Sequence, residues 1–153
     1  MRTIREILAD REIFHISADM TVKDAVDYLC ERRIGAVAVK EGPDVVGVFG
    51  EHDVMHRVVR PGLDPSSARV RDVMSTDCIR VPPDEDYRVA KMHMYDRNVR
   101  YLVVMDEYEQ LLGLLSMRHL LRIDVEEYAE LVSKLNDRYY QNALDRIRGG
   151  PAT

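Results

Sequence analysis

Apolar positions along this chain follow two spacings, one typical of helices and one typical of strands. In "TVKDAVDYLCER" the apolar residues recur three and four apart, the spacing of one helix face; they are Val22, Ala25, Val26 and Leu29. Thr21 with Asp24 resembles a capping box at the start of this helix. The short continuous runs "AVAV" and "VVGVF" predict two strands, separated by a turn at Gly42 and Pro43. "EHDVMHRVV" then resumes a helix.

The same pattern occurs twice. Residues 14–39 align with residues 79–104 at an offset of 65 positions, and beyond the next turn the offset is 66, so Gly47 corresponds to Gly113. The segments that precede the two copies also match, "TIREIL" with "RVRDVM". Each copy therefore predicts the order strand, helix, strand, strand, helix. The predicted boundaries are residues 1–60 for the first repeat, 61–68 for a linker rich in Pro, Gly and Ser, 69–123 for the second repeat and 124–147 for an additional C-terminal helix.

Composition places this repeat in a soluble, cytoplasmic protein. The chain has 153 residues and a net charge of -5, and it contains no apolar run near the ~20 residues that a membrane span needs. The first residues, "MRTIREILAD", are charged and amphipathic, unlike a secretory signal. The acidic balance argues against nucleic-acid binding, which needs a basic face. Cys30 and Cys78 form neither a disulfide framework nor a zinc spacing, and we expect Cys30 in the core.

The two copies resemble a known family, the CBS-domain pair or Bateman module, of the stand-alone bacterial type. The resemblance covers residues 3–123 and is carried by "TVKDAVDYLCERRIGAVAVKEGPDVVGVFGEHDVMHRVV" and "YRVAKMHMYDRNVRYLVVMDEYEQLLGLLSMRHLLR". It implies an α/β (α+β) fold, in which two pseudo-symmetric βαββα repeats pack sheet to sheet, with an extra C-terminal helix. The whole chain, residues 1–153, would then be a single Bateman module.

The resemblance also implies a function. Such modules bind adenosyl ligands in clefts between their repeats, assemble as disc-like homodimers, and act as sensors rather than catalysts. We therefore expect AMP, ADP or ATP as ligand, with S-adenosylmethionine or NADH as alternatives, and a separate effector protein as partner. The competing interpretation is a ligand-free dimeric adaptor whose sites have degenerated. An enzyme is not expected, because no Ser-His-Asp arrangement, Walker loop or metal-spaced cluster is present.

The first candidate site is the segment "GVFGEHD", which fits the family pattern Gly-hydrophobic-hydrophobic-Ser/Thr-x-x-Asp. An ionised Asp53 can accept a hydrogen bond from each of two ribose hydroxyls, and Gly47 would let the backbone approach a planar base. Amides at the start of the next helix can face phosphate. Gly50 lacks the hydroxyl of the family, and Glu51 adds a negative charge. The alternative is that Asp53 only complements the dipole of its helix.

The second candidate site departs further from the family pattern. In "GLLSMRH" the hydroxyl is present as Ser116, but His119 replaces the ribose-binding aspartate. This site is either vacant or selects a more anionic ligand through Arg118. Arg100 is the leading phosphate contact, against the alternative of an ordinary exposed arginine. The predicted nucleotide-binding residues of both copies are Gly47, Val48, Gly50, His52, Asp53, Arg100, Ser116 and Arg118.

A histidine pair within the first site raises the possibility of zinc. His52 and His56 are one helical turn apart, and the sequence around them resembles the H-E-x-x-H helix of zinc proteases. Asp53 is one methylene shorter than the glutamate of that motif, no third ligand has a recognisable spacing, and the second copy lacks the pair. We therefore expect neither a catalytic residue nor a metal site.

The predicted C-terminal helix has an apolar seam. Its positions step by three and four residues over nearly three heptads; they are Val125, Tyr128, Val132, Leu135, Tyr139 and Asn142. The helix either folds back on its own module or forms a seam against a partner subunit. The terminal "GGPAT" is expected to be frayed.

Overall fold

The computed structural model describes residues 2–148. The first half of the chain forms helix α1, strand β1, helix α2, the antiparallel strands β2 and β3, and a short helix α3 that continues as a π-helix. These elements span Ile4–Leu8, His15–Ser17, Val22–Arg32, Ala36–Glu41, Asp44–Gly50, Glu51–Asp53 and, for the π-helix, Val54–Val59. Thr21 caps α2, since its side chain accepts a hydrogen bond from the backbone of Asp24.

The second half repeats this order. Helix α4, strand β4, helix α5, strands β5 and β6 and helix α6 span Val70–Val73, Arg80–Val81, Tyr87–Asp96, Tyr101–Met105, Leu111–Ser116 and Met117–Arg148. Asp86 caps α5, as Thr21 caps α2. Helix α6 is 32 residues long and runs without a break through the predicted end of the second repeat. The predicted boundary at residue 123 therefore falls inside a helix.

Each half contributes one three-stranded sheet, with strand orders β1-β2-β3 and β4-β5-β6. In both sheets the first strand is parallel to the second, and the second is antiparallel to the third. The register of the antiparallel pair shifts at the same point in both sheets, between Val39 and Lys40 and between Val104 and Met105. The repeat predicted from the sequence is thus a repeat of backbone structure.

The two sheets pack against each other through their apolar side chains. Ala38 and Val48 of the first sheet share one buried cluster with Val103 and Met105 of the second. A second cluster fills the first half, where α2 covers the other face of its sheet; the fully buried members include Val22, Ala25, Val37, Val39 and Phe49. Residues 36–39 are buried throughout, as expected for a strand covered on both faces.

The short leader helices α1 and α4 pack on the opposite half of the chain. The backbone N–H of Ile4 donates to the carbonyl of Glu85 over 3.0 Å, in the second half. Conversely, the N–H of Val70 donates to Met20 over 3.0 Å, in the first. Thr3 forms an isolated bridge with Asp86. The leaders are therefore exchanged between the repeats.

Ion pairs reinforce both exchanged contacts. Arg5 of α1 binds Asp84, with its Nε 2.8 Å from Oδ1, and this guanidinium lowers the pKa of the Asp84 carboxyl. Arg71 of α4 lies between Asp19 and Glu41. Hydrogen bonds to these two carboxylates raise the pKa of Arg71. All five side chains are largely exposed, so each pair contributes little free energy to folding.

The chain divides into two compact units, of which the first ends at Met117 and the second begins at Arg118. The second unit consists of the remainder of α6 within the described residues. Among residues 2–148, no helix is long and apolar enough to cross a bilayer. The predicted fraying concerns "GGPAT", which lies outside the described residues.

One core prediction is wrong. Cys30 is exposed, not buried. It directly follows Leu29, the last buried residue of α2, and successive side chains on a helix point about 100° apart. Cys30 therefore lies beside the apolar face of α2 and not on it.

Candidate functional site

The first candidate site is centred on Asp53, at the junction between β3 and the helix that follows. Asp53 is 4% exposed, the one charged side chain found buried among the described residues. Its Oδ2 accepts a hydrogen bond from the backbone N–H of Gly50 over 3.0 Å. Its Oδ1 accepts a hydrogen bond from Ser75 Oγ over 2.7 Å. The carboxylate thus accepts hydrogen bonds from the start of its own helix and from the segment that follows α4.

The Asp53–Gly50 hydrogen bond favours the alternative that Asp53 only stabilises the start of its own helix. An acid at the third helical position that reaches back to the N-cap amide is one arm of a capping box, and Asp53 makes this bond. A carboxylate oxygen has two acceptor positions, so each oxygen of Asp53 retains one. Ribose binding by Asp53 therefore stays a prediction, one that requires access to a buried group.

Ser75 is a site residue that the sequence did not reveal. It follows leader helix α4 and lies against β3, where its N–H donates to Val48 O over 2.8 Å and its carbonyl accepts from Val48 N over 2.9 Å. These two bonds form an isolated antiparallel bridge. They orient the Ser75 hydroxyl toward Asp53, which lies 22 residues earlier in the chain. The leader alignment pairs Ser75 with Ala9, a clue that this position differs chemically between the copies.

Gly47 has a packing role in the structure. A Cβ at this position would lie 2.7 Å from the carbonyl oxygen of Ser75 and 2.9 Å from Met74 Sδ. Only a residue without a side chain lets the chain after α4 lie so close to β3. Gly47 is thus explained by its contact with Met74 and Ser75, and the predicted approach of its backbone to a planar base stays a prediction.

Gly50 also permits a close approach of two backbone segments. A Cβ on Gly50 would lie 2.8 Å from the carbonyl oxygen of Gly35 and 2.9 Å from Ala36 Cβ. The same Gly35 carbonyl accepts a hydrogen bond from Glu51 N over 3.0 Å. Gly50 is therefore explained by packing, which accounts for the absence of the family hydroxyl.

Tyr101 brings the second sheet to this junction. A Cβ on Gly35 would lie 2.7 Å from the Tyr101 hydroxyl and 3.4 Å from the Glu51 carboxyl carbon. Gly35 thus separates a phenol of β5 from the acidic side chain that begins α3. The junction contains groups from both repeats, as a binding cleft between repeats requires.

The basic side chains next to the first junction lie at the surface. Arg57 Nη1 is 3.8 Å from Asp53 Oδ1 and donates to the carbonyl of Met74 over 2.5 Å. His52 and His56 are exposed and stacked, with ring centroids 4.1 Å apart. Arg57 is exposed and connects the π-helix to the end of α4.

The second junction reproduces the backbone of the first. Met117 N donates to the carbonyl of Arg100 over 3.0 Å, as Glu51 N does to Gly35. Ser116 ends β6 and is half-buried. Arg100 precedes β5, and its guanidinium is exposed. Gly113 has φ +151°, a conformation that other residues rarely adopt.

Arg118 and His119 belong to the first turn of α6, in the second unit. Arg118 is exposed and His119 is half-buried. The structure thus gives Arg118 the exposure that an anion contact needs, while its nucleotide contact stays a prediction. Among residues 2–148, no three side chains of His, Cys, Asp or Glu are grouped so that they could hold a metal ion.

The chain is a two-copy α/β module. It has two three-stranded sheets, leader helices exchanged between the repeats, and a corresponding strand–helix junction in each copy. The family model for the CBS domain matches the chain twice, over residues 4–60 and 70–126. The chain belongs to the CBS domain family, and it carries two such domains.

Known proteins agree with this assignment. An uncharacterized protein from Methanopyrus kandleri is 29% identical over 118 residues; the match covers 76% of this chain and 60% of that relative's length. The structure of a candidate signal-transduction protein with CBS domains from Burkholderia ambifaria superposes with a TM-score of 0.77 and 27% identity, over 82% of this chain and 95% of that one. A CBS domain protein from Pyrobaculum aerophilum, complexed with AMP, gives a TM-score of 0.70 at 24% identity, over 78% of this chain and 90% of that one.

Proposed function

We propose that this protein is a regulatory module that binds an adenosine nucleotide between its repeats and passes its ligand state to a separate effector. The observation that carries the proposal is the hydrogen bond between the buried Asp53 and the half-buried Ser75, which joins the two repeats at the position of the family's ribose-binding aspartate. The Pyrobaculum relative, which shares this fold, is complexed with AMP. We place the function in a cytoplasmic homodimer.

The Asp53–Ser75 bond suggests how ligand binding would be transmitted. A ribose that donates to Asp53 must reach a side chain that is almost fully buried, so the segment around Ser75 has to move or share the carboxylate. That segment directly follows α4, which is anchored to the first repeat. Ligand binding would therefore shift the position of a leader helix. A ligand shifts such an equilibrium only through its different affinity for the two positions.

The second junction suits a more anionic group. Ser116 supplies a hydroxyl, and the guanidinium groups of Arg100 and Arg118 are exposed. Hydrogen bonds from arginine to phosphate are charge-assisted and stronger than neutral ones. We propose that Arg100 and Ser116 hold phosphate, and that the first junction binds ribose through Asp53. Arg118, which belongs to the second unit, stays a separate predicted anion contact.

Two residues support the alternative of a ligand-free adaptor. Gly50 leaves no room for the hydroxyl of the family, and His119 replaces the second aspartate. If both sites are non-functional, the module acts as a dimeric interaction partner without a ligand. An enzyme is not proposed.

Isothermal titration calorimetry with AMP, ADP, ATP, S-adenosylmethionine and NADH tests the proposal, on protein first freed of co-purified nucleotide by mild unfolding and refolding. The first site is tested with Asp53→Asn, which preserves shape but removes the charge. Its matched control is Asp24→Asn, an exposed acid at the same position of helix α2. Binding by wild type and Asp24→Asn, but at least tenfold weaker binding by Asp53→Asn, is expected.

The second site is tested with Arg100→Ala, and Arg97→Ala, also exposed, is its control. Loss of affinity for ATP with a smaller loss for AMP would indicate contacts to the outer phosphates. Binding that survives both Asp53→Asn and Arg100→Ala would refute the assigned residues. No heat with any nucleotide, in folded protein, would favour the adaptor.

A further inference from the structure

Helix α6 carries an exposed apolar face. Six of its side chains alternate four and three residues apart and are between 54% and 71% exposed: Leu121, Val125, Tyr128, Val132, Leu135 and Tyr139. Leu131, which is 52% exposed, flanks them. This spacing is that of the a and d positions in a coiled coil.

We propose that this face binds the same face of a second copy of the chain, as an antiparallel two-helix coiled coil with Tyr128 opposite Val132. This register follows from the rule that a faces d in antiparallel pairs, applied to this sequence. It pairs Leu121 with Tyr139 and Val125 with Leu135 of the other copy. Each of the six apolar side chains is then opposite an apolar partner, and the dyad axis passes beside Leu131.

The charges of α6 favour the antiparallel orientation. Residues 124–130 contain four acidic side chains and no basic one. In a parallel pair this acidic segment would lie beside the identical segment of the other copy, and the like charges would repel. In the antiparallel register it lies beside residues 130–136, which contain a single acidic side chain. Asp124 and Arg138 face each other at the flanking positions, once on each side of the dyad. Antiparallel helices also oppose their dipoles favourably.

The antiparallel register also explains why the apolar seam ends at a polar residue. Asn142, the polar member of the predicted seam, falls opposite Arg118, beyond the last apolar pair. The six apolar positions are complementary to themselves, so a partner of different sequence is not needed to cover them. This inference does not depend on nucleotide binding, and its failure would leave the proposed function intact.

Cysteine cross-linking of the full chain tests the register. In a background with Cys30→Ser and Cys78→Ala, single variants Leu131→Cys and Leu121→Cys are treated with a short bismaleimide. In the antiparallel register the two copies of residue 131 are adjacent, whereas the copies of residue 121 are separated by 18 residues, about 27 Å along the axis. Leu131→Cys is expected to form a covalent dimer and Leu121→Cys is not.

A parallel pair would give the opposite result, because the two copies of residue 121 would then be adjacent. Cross-linking at position 121, alone or together with position 131, overturns the antiparallel register. Absence of cross-linking at both positions, with normal thiol labelling and circular dichroism, shows that a second copy does not cover this face.

A charge reversal provides a second, independent measurement. Arg138→Glu places like charges opposite Asp124 on both sides of the pair, whereas Lys134→Glu makes the same change of charge away from the contact. In the Leu131→Cys background, the protein concentration for half-maximal cross-linking should rise about fivefold for Arg138→Glu and remain unchanged for Lys134→Glu. Equal shifts for the two variants would contradict the proposed register.

Discussion

The β3–α3 junction and the β6–α6 junction share a backbone but not a chemistry. In both, the first helical N–H donates over 3.0 Å to the carbonyl of the residue directly before the neighbouring antiparallel strand, which is Gly35 before β2 in one case and Arg100 before β5 in the other. Gly50 and Asp53 form the first junction, whereas Ser116 and His119 occupy the corresponding positions of the second. Pairing and register are set by apolar alternation, so polar positions can diverge without loss of the fold.

The difference lies in the groups that each junction presents. At the first junction the glycines are filled by neighbouring backbone, and Asp53 is engaged on both oxygens. At the second, a hydroxyl and exposed cations occupy the equivalent positions. We expect substitution of the first-junction glycines to act mainly on stability, and substitution of Arg100 at the second junction to act mainly on affinity for anions.

Replacing the paired glycines should give the largest effect. Gly47→Ala forces a Cβ against the backbone oxygen of Ser75 and should lower the free energy of unfolding by about 3 kcal/mol. Gly113→Ala meets only a flexible Leu8 side chain at 3.3 Å but has to adopt a φ of +151°, which should cost about 1–2 kcal/mol. Urea unfolding of both variants checks the order. A smaller loss for Gly47→Ala would mean that the segment after α4 moves easily.

Removing the buried carboxylate should come next. Asp53→Ala leaves the buried N–H of Gly50 without its acceptor and should cost about 2 kcal/mol. Ser75→Ala should cost about 1 kcal/mol, and the double variant should show a coupling of about 1 kcal/mol, because the two groups share one hydrogen bond. The measurement is a double-mutant cycle by urea unfolding. Additive losses would show that this bond contributes nothing, and His119→Ala is the control at the other junction.

A third test moves the serine hydroxyl from the second junction to the first, with the variants Gly50→Ser and Ser116→Gly. Gly50→Ser crowds the carbonyl of Gly35 and Ala36 Cβ, and should destabilise the protein by about 1–2 kcal/mol. Ser116→Gly should cost about 1 kcal/mol or less, through chain entropy. Thermal unfolding distinguishes them, and a more stable Gly50→Ser variant would show that the first junction can accept the family hydroxyl.

The smallest effect concerns the leaders. The pKa of Asp84 is lowered from an ordinary value of 3.8 by Arg5, so its contribution to stability is present above that value and is lost as the pH falls through the lowered pKa. Asp84→Asn should therefore be slightly less stable than wild type near pH 7 and equal to it in strong acid. Unfolding curves measured from pH 7 down to pH 2 check this. A difference that persists at the lowest pH would indicate that the Asp84 contact is not electrostatic.

Much of the fold followed from local pattern. The spacing of Val22, Ala25 and Leu29 predicted α2, and the run 36–39 predicted a buried strand; both are confirmed. The internal repeat predicted the paired sheets, because two segments with the same pattern bury the same faces. The family and its fold were correctly identified on these grounds.

What the pattern could not predict depends on contacts between distant residues. The leaders were aligned with each other, but nothing in "TIREIL" shows that Ile4 binds Glu85 and not its own repeat. Ser75 was missed for the same reason, since its partner Asp53 lies across a linker. Gly47 was interpreted as letting the backbone approach a planar base, which stays a prediction. Its close contact with Met74 and Ser75 depends on a segment distant in the chain and could not be seen in the sequence.

The exchanged leaders have a consequence for synthesis. The backbone bonds Val22 N–Ala68 O and Ile4 N–Glu85 O join residues 46 and 81 positions apart, and such contacts form only after long loops have closed. The first repeat therefore cannot be completed on the ribosome until the chain through Arg71 has emerged, and helix α1 has no docking site until Glu85 follows. We therefore expect folding to depend on the length of the nascent chain, with the two halves reaching the native state together.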